Sequence, residues 1–331
     1  MAHSVEAQAV VLKNGETDER VLRLDLARHR SDRGYHFVHR ADLIDLLAGA
    51  AREAGVHVKL LQRITEATAG PEGMSLQTAQ GARLSPALLI GADGLHSPIA
   101  TALNGRAAPF FTNRIAWRAV IPAEPDAAPE ATVHMGDGRH LVSYPMRGGT
   151  LRNIVAVEER WRWVEERWST RDDPLSIRVA FDEFCPRVHG WLDQVEAPYL
   201  WGLFRHPVAR DWYGPGVAIL GDAAHPTLPF LAQGANMALE DAWVLAECLD
   251  GTDDAQTALA AYQNTRRFRC ERIVAAANRN ARAYHLSGAE RTIAHAGLKM
   301  LGAIAPGLML KRFDWIYGHD VTAQSYPQPR K

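Results

Sequence analysis

Gly216-Val217-Ala218-Ile219-Leu220-Gly221-Asp222-Ala223-Ala224-His225-Pro226, followed by Pro229 and by Gln233-Gly234-Ala235-Asn236, is the stretch whose reading decides the fold. Residues 217–220 form a continuous apolar run between glycines, the pattern of a strand buried on both faces. Asp222 then stands just past the carboxyl end of that strand. In open α/β sheets ligands bind at this rim, where an acid accepts hydrogen bonds from sugar-like hydroxyls; the plainer reading is an Asp that only orders a turn. Beyond the prolines, Ala235, Met237, Ala238, Leu239, Ala242, Val244, Leu245, Ala246 and Leu249 recur at helical spacing, which predicts a helix starting within residues 234–236. Its first turn offers unpaired N–H groups and the positive end of a dipole, and a glycine there lets a ring or an anion come close to the backbone.

Strand, acid, prolines and helix start at these spacings resemble the second FAD motif of the flavoprotein aromatic hydroxylases, the group containing salicylate and hydroxybenzoate hydroxylases. The chemistry agrees, since the N1/O2 edge of an isoalloxazine ring becomes anionic on reduction and suits a helix start. The resemblance implies an α/β fold with an FAD-binding Rossmann-like sheet of the para-hydroxybenzoate hydroxylase type, an inserted β-rich substrate domain and C-terminal helices. It also implies FAD as cofactor, held by Gly221, Asp222, Gly234, Ala235 and Asn236, with NADH or NADPH as co-substrate.

Composition narrows the class. With 331 residues and 47% apolar content the chain can bury a large core. Lys and Arg total 37 against 38 Asp and Glu, so no overall field attracts nucleic acid or an anionic membrane. Cys185, Cys248 and Cys270 show no metal spacing and read as core or surface thiols of a reducing, cytoplasmic compartment; no metal site is expected. Residues 1–12 have neither the basic start nor the apolar run of a signal peptide. Residues 298–310 fall short of the roughly 20 needed to cross a bilayer and are broken by Gly302, Pro306 and Gly307, so a packed helix pair is expected.

A flavoprotein of this group opens with a strand, a GxGxxG turn and a helix that holds the pyrophosphate. No GxGxxG occurs in the 331 residues. The expectation is therefore an N-terminally truncated sheet lacking its first βαβ unit: an incomplete FAD-binding segment over 1–106, a β-rich substrate domain over 107–205, and over 206–331 the rest of the FAD-binding domain with the C-terminal helices.

In chain order, Val10 and Leu12, then Leu22, Leu24 and Leu26, flank Asn14-Gly15 and predict a β-hairpin or two short strands. Leu43, Leu46, Leu47 and Ala50 share one face of a helix entered at Arg40. The resemblance assigns that Arg to FAD, against the simpler reading of a surface Arg. Residues 56–61 read as the strand after this helix, and backbone near Ile64 would lie against the adenine. Residues 87–94 read as a second buried strand ending at Asp93 and resemble the family's DG motif, with Asp93 either at the cofactor or structural. The family places an Arg three residues after the Ser of that motif; Ala100 stands here, which weakens the case for efficient NAD(P)H use.

Residues 117–122, 140–145 and 153–157 read as strands of the substrate sheet, with Gly148-Gly149 turning between the last two. His140 and Tyr144, four apart, share a face of their strand. By resemblance, His140, Tyr144 and Gln233 are the groups that assist phenol deprotonation; a neutral His is a base suited to neutral pH. A core His, a packed Tyr and a helix-entry Gln are the alternatives. Trp161, Trp163 and Trp168 are expected to pack on the sheet, Met135 and Met237 to be core, and Arg266, Arg267, Arg269, Arg272, Arg279 and Arg282 to form a solvated helix face, with an anion or second subunit as the other reading. Residues 284–288 and 315–318 resemble the C-terminal ends of salicylate hydroxylase-like members. The function implied is FAD-dependent hydroxylation of a small aromatic acid with NAD(P)H and O2, by a monomer or homodimer. An inactive fragment or scaffold, and an FAD oxidoreductase or epoxidase with a non-aromatic substrate, are the alternatives.

Overall fold

The computed structural model describes residues 4–30, 34–71, 73–161, 170–324 and 326. The chain divides into two units, each assembled from separated segments: Met1–Val58, Phe111–Leu203 and Arg282–Gly318 form the first, Lys59–Phe110, Phe204–Ala281 and His319–Lys331 the second.

A seven-stranded sheet dominates the first unit, in the order Tyr199–Arg205, Phe110–Pro122, Leu151–Glu159, Arg139–Met146, Glu130–Gly136, Ala9–Asn14, Arg20–Asp25. The expected hairpin forms, with Val10 opposite Leu24. Its turn is held by the Asn14 carboxamide, which accepts from the amides of Glu16 and Thr17. The hairpin joins the sheet of residues 110–205 through a parallel pairing of Val10 with Ala131. On one face Ile115, Trp117, Ile121, Leu141 and Ile154 pack against Ile177, Phe181, Val188, Trp191 and Leu192 of helices Pro174–Ala180 and Pro186–Leu192. Each such side chain contributes about 1.5–3 kcal/mol by leaving water. Against the other face lie Tyr284 and Leu298, packed on Val21, Val133 and Met135.

The second unit holds the predicted strand–turn–helix. Val217–Ile219, fully buried, pairs in parallel with Leu89–Gly91, Ala218 opposite Ile90. Helix Gly234–Asp250 follows, starting where the spacing predicts. The long helix Ala255–Ala283 is tied to the strand by Tyr262, whose hydroxyl donates to the Ile219 carbonyl at 3.1 Å. A separate antiparallel sheet comprises Ile64–Gly70, Gly73–Thr78 and Arg83–Leu84.

Three expectations need correction. Residues 56–61 form no strand: Val56, Val58, Leu60 and Leu61 are exposed, Leu61 by 89%, and no ladder partner lies beside them among the described residues. An apolar run creates a demand for burial, but a strand also needs a neighbour for its N–H and C=O groups. For the same lack of a covering layer, helix Arg40–Glu53 buries no residue, and Leu46 and Leu47 face solvent. Arg266 is not part of a solvated face but 1% exposed, for the electrostatic reason given below. Trp161 is exposed, while Trp163 and Trp168 lie outside the described residues. Met135 and Met237 are core, and all three cysteines are buried free thiols. Among the described residues no helix is long and apolar enough to cross a membrane.

Candidate functional site

In the second unit the sequence folds into a sharp elbow. After Ile219 the chain turns at Gly221, whose φ of +62° lies in the left-handed region open to glycine. A Cβ there would stand 3.2 Å from the Cβ of Ala238, so the same glycine lets the turn sit close on the helix. Asp222 is exposed on this turn. Prolines then carry the chain to Ala232, also left-handed at φ +52°, and Gln233 opens the helix. No side chain caps that helix start, and Gly234, Ala235 and Asn236 are half-buried to exposed, so the first-turn amides can receive an outside acceptor. A Cβ built on Gly234 would lie 4.0 Å from Asp222 Oδ1 and 3.4 Å from a methyl of Thr227. Acid and helix start are therefore neighbours, and the missing Cβ leaves a cradle for a flat group. The donor set fits a flavin: N–H groups for an edge that turns anionic, a carboxylate for hydroxyls.

Beneath the elbow lies a buried charge cluster that the sequence reading did not single out. Asp241, 0% exposed, accepts through Oδ2 from the Gly221 amide at 3.0 Å and from His225 Nε2 at 2.5 Å. Its Oδ1 accepts from Arg266 Nε at 2.8 Å, and Arg266 also pairs with Glu240. Burial resists charging of His225, but the hydrogen bond and charge of Asp241 outweigh it and lift the imidazole to about 10. Burial likewise disfavours ionised Asp241, yet His225 and Arg266 hold its pKa below the carboxylate norm. His225, Asp241 and Cys270 have the proximity of metal ligands, but the guanidinium already supplies the cation that Asp241 needs. One signal was legible: Asp241 falls on the buried stripe Met237, Val244, Leu245 and Cys248, and a charge on an apolar stripe requires a buried partner.

Other predicted cofactor residues sit apart in sequence and role. Ile64 begins its strand, half-buried, and Asp93 is exposed just past Leu89–Gly91. Ser97, 3% exposed, caps helix Pro98–Asn104 by accepting from the Ala100 amide at 2.8 Å, a structural role for that part of the motif. Arg40, exposed, is the first residue of its helix and belongs to the first unit.

His140 and Tyr144 are on one strand of the first unit and on the same face; Gln233, 3% exposed, belongs to the second. Tyr144 stacks on Phe37 with ring centroids 4.9 Å apart, and burial raises its pKa against the pull of Arg118, so its phenol stays neutral. His140, 2% exposed, hydrogen-bonds His285 at 2.6 Å. Burial, and then His285 and Arg114, hold its pKa well below that of a free imidazole. His285, in the stretch 284–288 noted for its resemblance but given no role there, meets Glu159 at 3.0 Å.

Residues 1–277 match the family model described as FAD binding domain. Among curated relatives, 3-amino-4-hydroxybenzoate 2-monooxygenase PtnB3 of Streptomyces platensis is 31% identical over 267 residues, 78% of this chain and 65% of the relative. The 3-hydroxybenzoate 6-hydroxylase of Polaromonas naphthalenivorans (strain CJ2) is 31% identical over 300 residues, 89% of this chain and 74% of the relative. The chain thus spans just under two thirds of the first relative's length. Among solved structures, a salicylate hydroxylase substrate complex matches with a TM-score of 0.79 at 22% identity, covering 97% of this chain and 83% of that one, a likeness of fold.

Proposed function

The chain belongs to the FAD-binding family of aromatic hydroxylases, and from that premise we propose that it is a flavoprotein monooxygenase acting on a small phenolic acid of the hydroxybenzoate or salicylate type. The observation that carries this reading is the juxtaposition of Asp222 with the uncapped start of helix Gly234–Asp250. FAD bound there supplies what side chains do not, the activation of O2 after reduction by NADH or NADPH and delivery of one oxygen atom to the ring.

The chain's own groups bind, orient and move protons. Asp222 would accept from the ribityl hydroxyls, and the amides of Gly234, Ala235 and Asn236 would hold the negative edge of the ring. Gly221 sets the turn, and Arg40, Ile64 and Asp93 are the further cofactor contacts of this reading. His140, Tyr144 and Gln233 promote the phenolate: Tyr144 and Gln233 by hydrogen bonds, His140 by accepting the proton. The β-rich region of residues 107–205 supplies the substrate side, and three buried free thiols suit a reducing cytoplasm.

The test is direct. The purified 331-residue chain is mixed with FAD and its absorbance recorded after desalting; retained flavin is the expected result. NADH consumption is then followed with salicylate or 3-hydroxybenzoate, and the product weighed by mass spectrometry. A gain of one oxygen atom supports hydroxylation, whereas NADH loss with the aromatic unchanged refutes the substrate class.

A further inference from the structure

Near one end of strand Glu130–Gly136 three different donor groups of the first unit converge. The hairpin turn brings Asp18, the strand brings His134, and Cys185 comes from the residue before helix Pro186–Leu192. A carboxylate oxygen, a ring nitrogen and the thiol sulfur all lie within 4.8 Å of one another. Nε2 of His134 stands 3.0 Å from Asp18 Oδ1. His134 and Cys185 are buried, the cysteine as a free thiol, and Nδ1 of His134 has no hydrogen-bond partner among the described residues.

The backbone fixes this arrangement. The Gly15 amide donates to the Met135 carbonyl at 2.8 Å, and the Cys185 amide donates to the Gly15 carbonyl at 2.7 Å, so turn, strand and helix start are tied at one point. Phe184 fills the space beside them: a Cβ on Gly15 or Gly136 would come within 2.7 Å of its ring. The positions of the three side chains are thus set by the fold and not by a ligand.

We propose that Asp18, His134 and Cys185 bind a divalent cation of the zinc class, with water as the fourth ligand. Imidazole and thiolate select zinc, cobalt or copper over magnesium and calcium, which take oxygen. Around tetrahedral zinc, ligand atoms at about 2.0–2.3 Å from the metal stand about 3.3–3.6 Å apart, so the site closes by side-chain shifts of about 1 Å. On binding, the S–H bond of Cys185 breaks, its proton goes to water and a sulfur–metal bond forms. Imidazole and carboxylate donate lone pairs, and no electron is transferred. The inference is independent of the flavin and of the substrate reading.

Asp18 also accepts from two side-chain cations, Lys13 Nζ at 2.8 Å and Arg187 Nε at 3.2 Å, which a metal must displace. This separates the cluster from that of Asp241, where Arg266 is enclosed at 1% exposure. The side chains of Lys13 and Arg187 are 19% and 56% exposed and line an open cleft of about 280 Å³. Glu124, Asp126 and Glu130 line the same cleft, so both cations have carboxylates to turn to and an entering metal is attracted. Trp191, another wall of the cleft, meets the His134 ring with centroids 5.6 Å apart, which puts the way in beside the ligands.

The test uses the full 331-residue chain, freed of metal with a chelator and titrated with Co2+, in difference spectra that cancel any bound flavin. A near-ultraviolet thiolate-to-cobalt band and the strong visible bands of four-coordinate cobalt are expected, all bleached by Zn2+. The thiolate band is expected to vanish in Cys185→Ser and to persist in Cys270→Ser, which disarms the other thiol cluster. Asp18→Asn, at a partly exposed position, is expected to weaken binding about 10-fold or more and carries the test should Cys185→Ser fail to fold. Arg187→Met is expected to tighten binding several-fold because a competing cation is gone, a response that cobalt on scattered surface groups does not give. A folded chain without the thiolate band overturns the proposal. So does a band unchanged in Cys185→Ser, or an affinity unchanged in Asp18→Asn.

Discussion

Asp241 accepts from the Gly221 amide, His225, Arg266 and the Cys270 thiol where water does not reach, and these neighbours fix what its loss does. Asp241→Asn keeps an acceptor for the Gly221 amide but removes the counter-charge of His225 and leaves Arg266 with Glu240 alone. Breaking one partner of a buried ion pair costs about 3–5 kcal/mol, and that loss is expected in urea unfolding. Arg266→Met alone is expected to cost a similar amount, and the double variant clearly less than the two together, because both changes break the same Asp241–Arg266 contact. The pH dependence has a definite sign. His225 titrates higher in the folded chain, at about 10, than the 6.5 of a free imidazole, so its contribution is fully present below about pH 6.5 and is lost as pH rises through 10. Unfolding curves between pH 7 and 10 are expected to show this loss in the wild type and a smaller one in His225→Gln.

The turn and the helix start separate folding from binding at the level of the element. Gly221→Ala forces a side chain into the left-handed region and against Ala238, and is expected to cost about 1–2 kcal/mol in stability. Gly234→Ala meets only ordinary contacts and is expected to leave the melting temperature unchanged while weakening FAD about 10-fold, read by quenching of flavin fluorescence; a variant that binds FAD as the wild type does would remove Gly234 from the site. The helix here was legible because its apolar residues repeat at 3.6-residue spacing over seventeen residues. Residues 56–61 were misread because their alternation says only that they are apolar, while strand formation depends on a partner elsewhere in the chain. Leu61 adopts φ +60° and is exposed, so Leu61→Gly is expected to raise stability by about 1 kcal/mol in the same unfolding assay.

For the whole molecule, acid is expected to act first on the histidines buried without charge. Burial, only partly offset by Asp18 and Glu159 respectively, holds His134 and His285 at about 4 in the folded chain. Unfolded, they take protons near 6.5, so the unfolded chain binds more protons between these values and stability falls as pH drops from about 6.5 to 4. The loss amounts to at most about 3 kcal/mol for each, and circular dichroism melts over this range are expected to show less of it in His285→Gln.

The sequence by itself determined the strand–turn–helix with its acid and glycines, the hairpin at Asn14-Gly15, the strands around His140 and the family they resemble. Each of these is local: periodicity, turn residues and a short motif act within about twenty residues and need no knowledge of what packs where. Tertiary structure decided the rest. Asp241 and Arg266 are 25 residues apart on two helices, and His140, Glu159 and His285 come from three separate segments. Nothing in their spacing brings them together. Only when packing excludes water must a charge find its counter-charge and an imidazole its partner, and burial is a property of the folded chain.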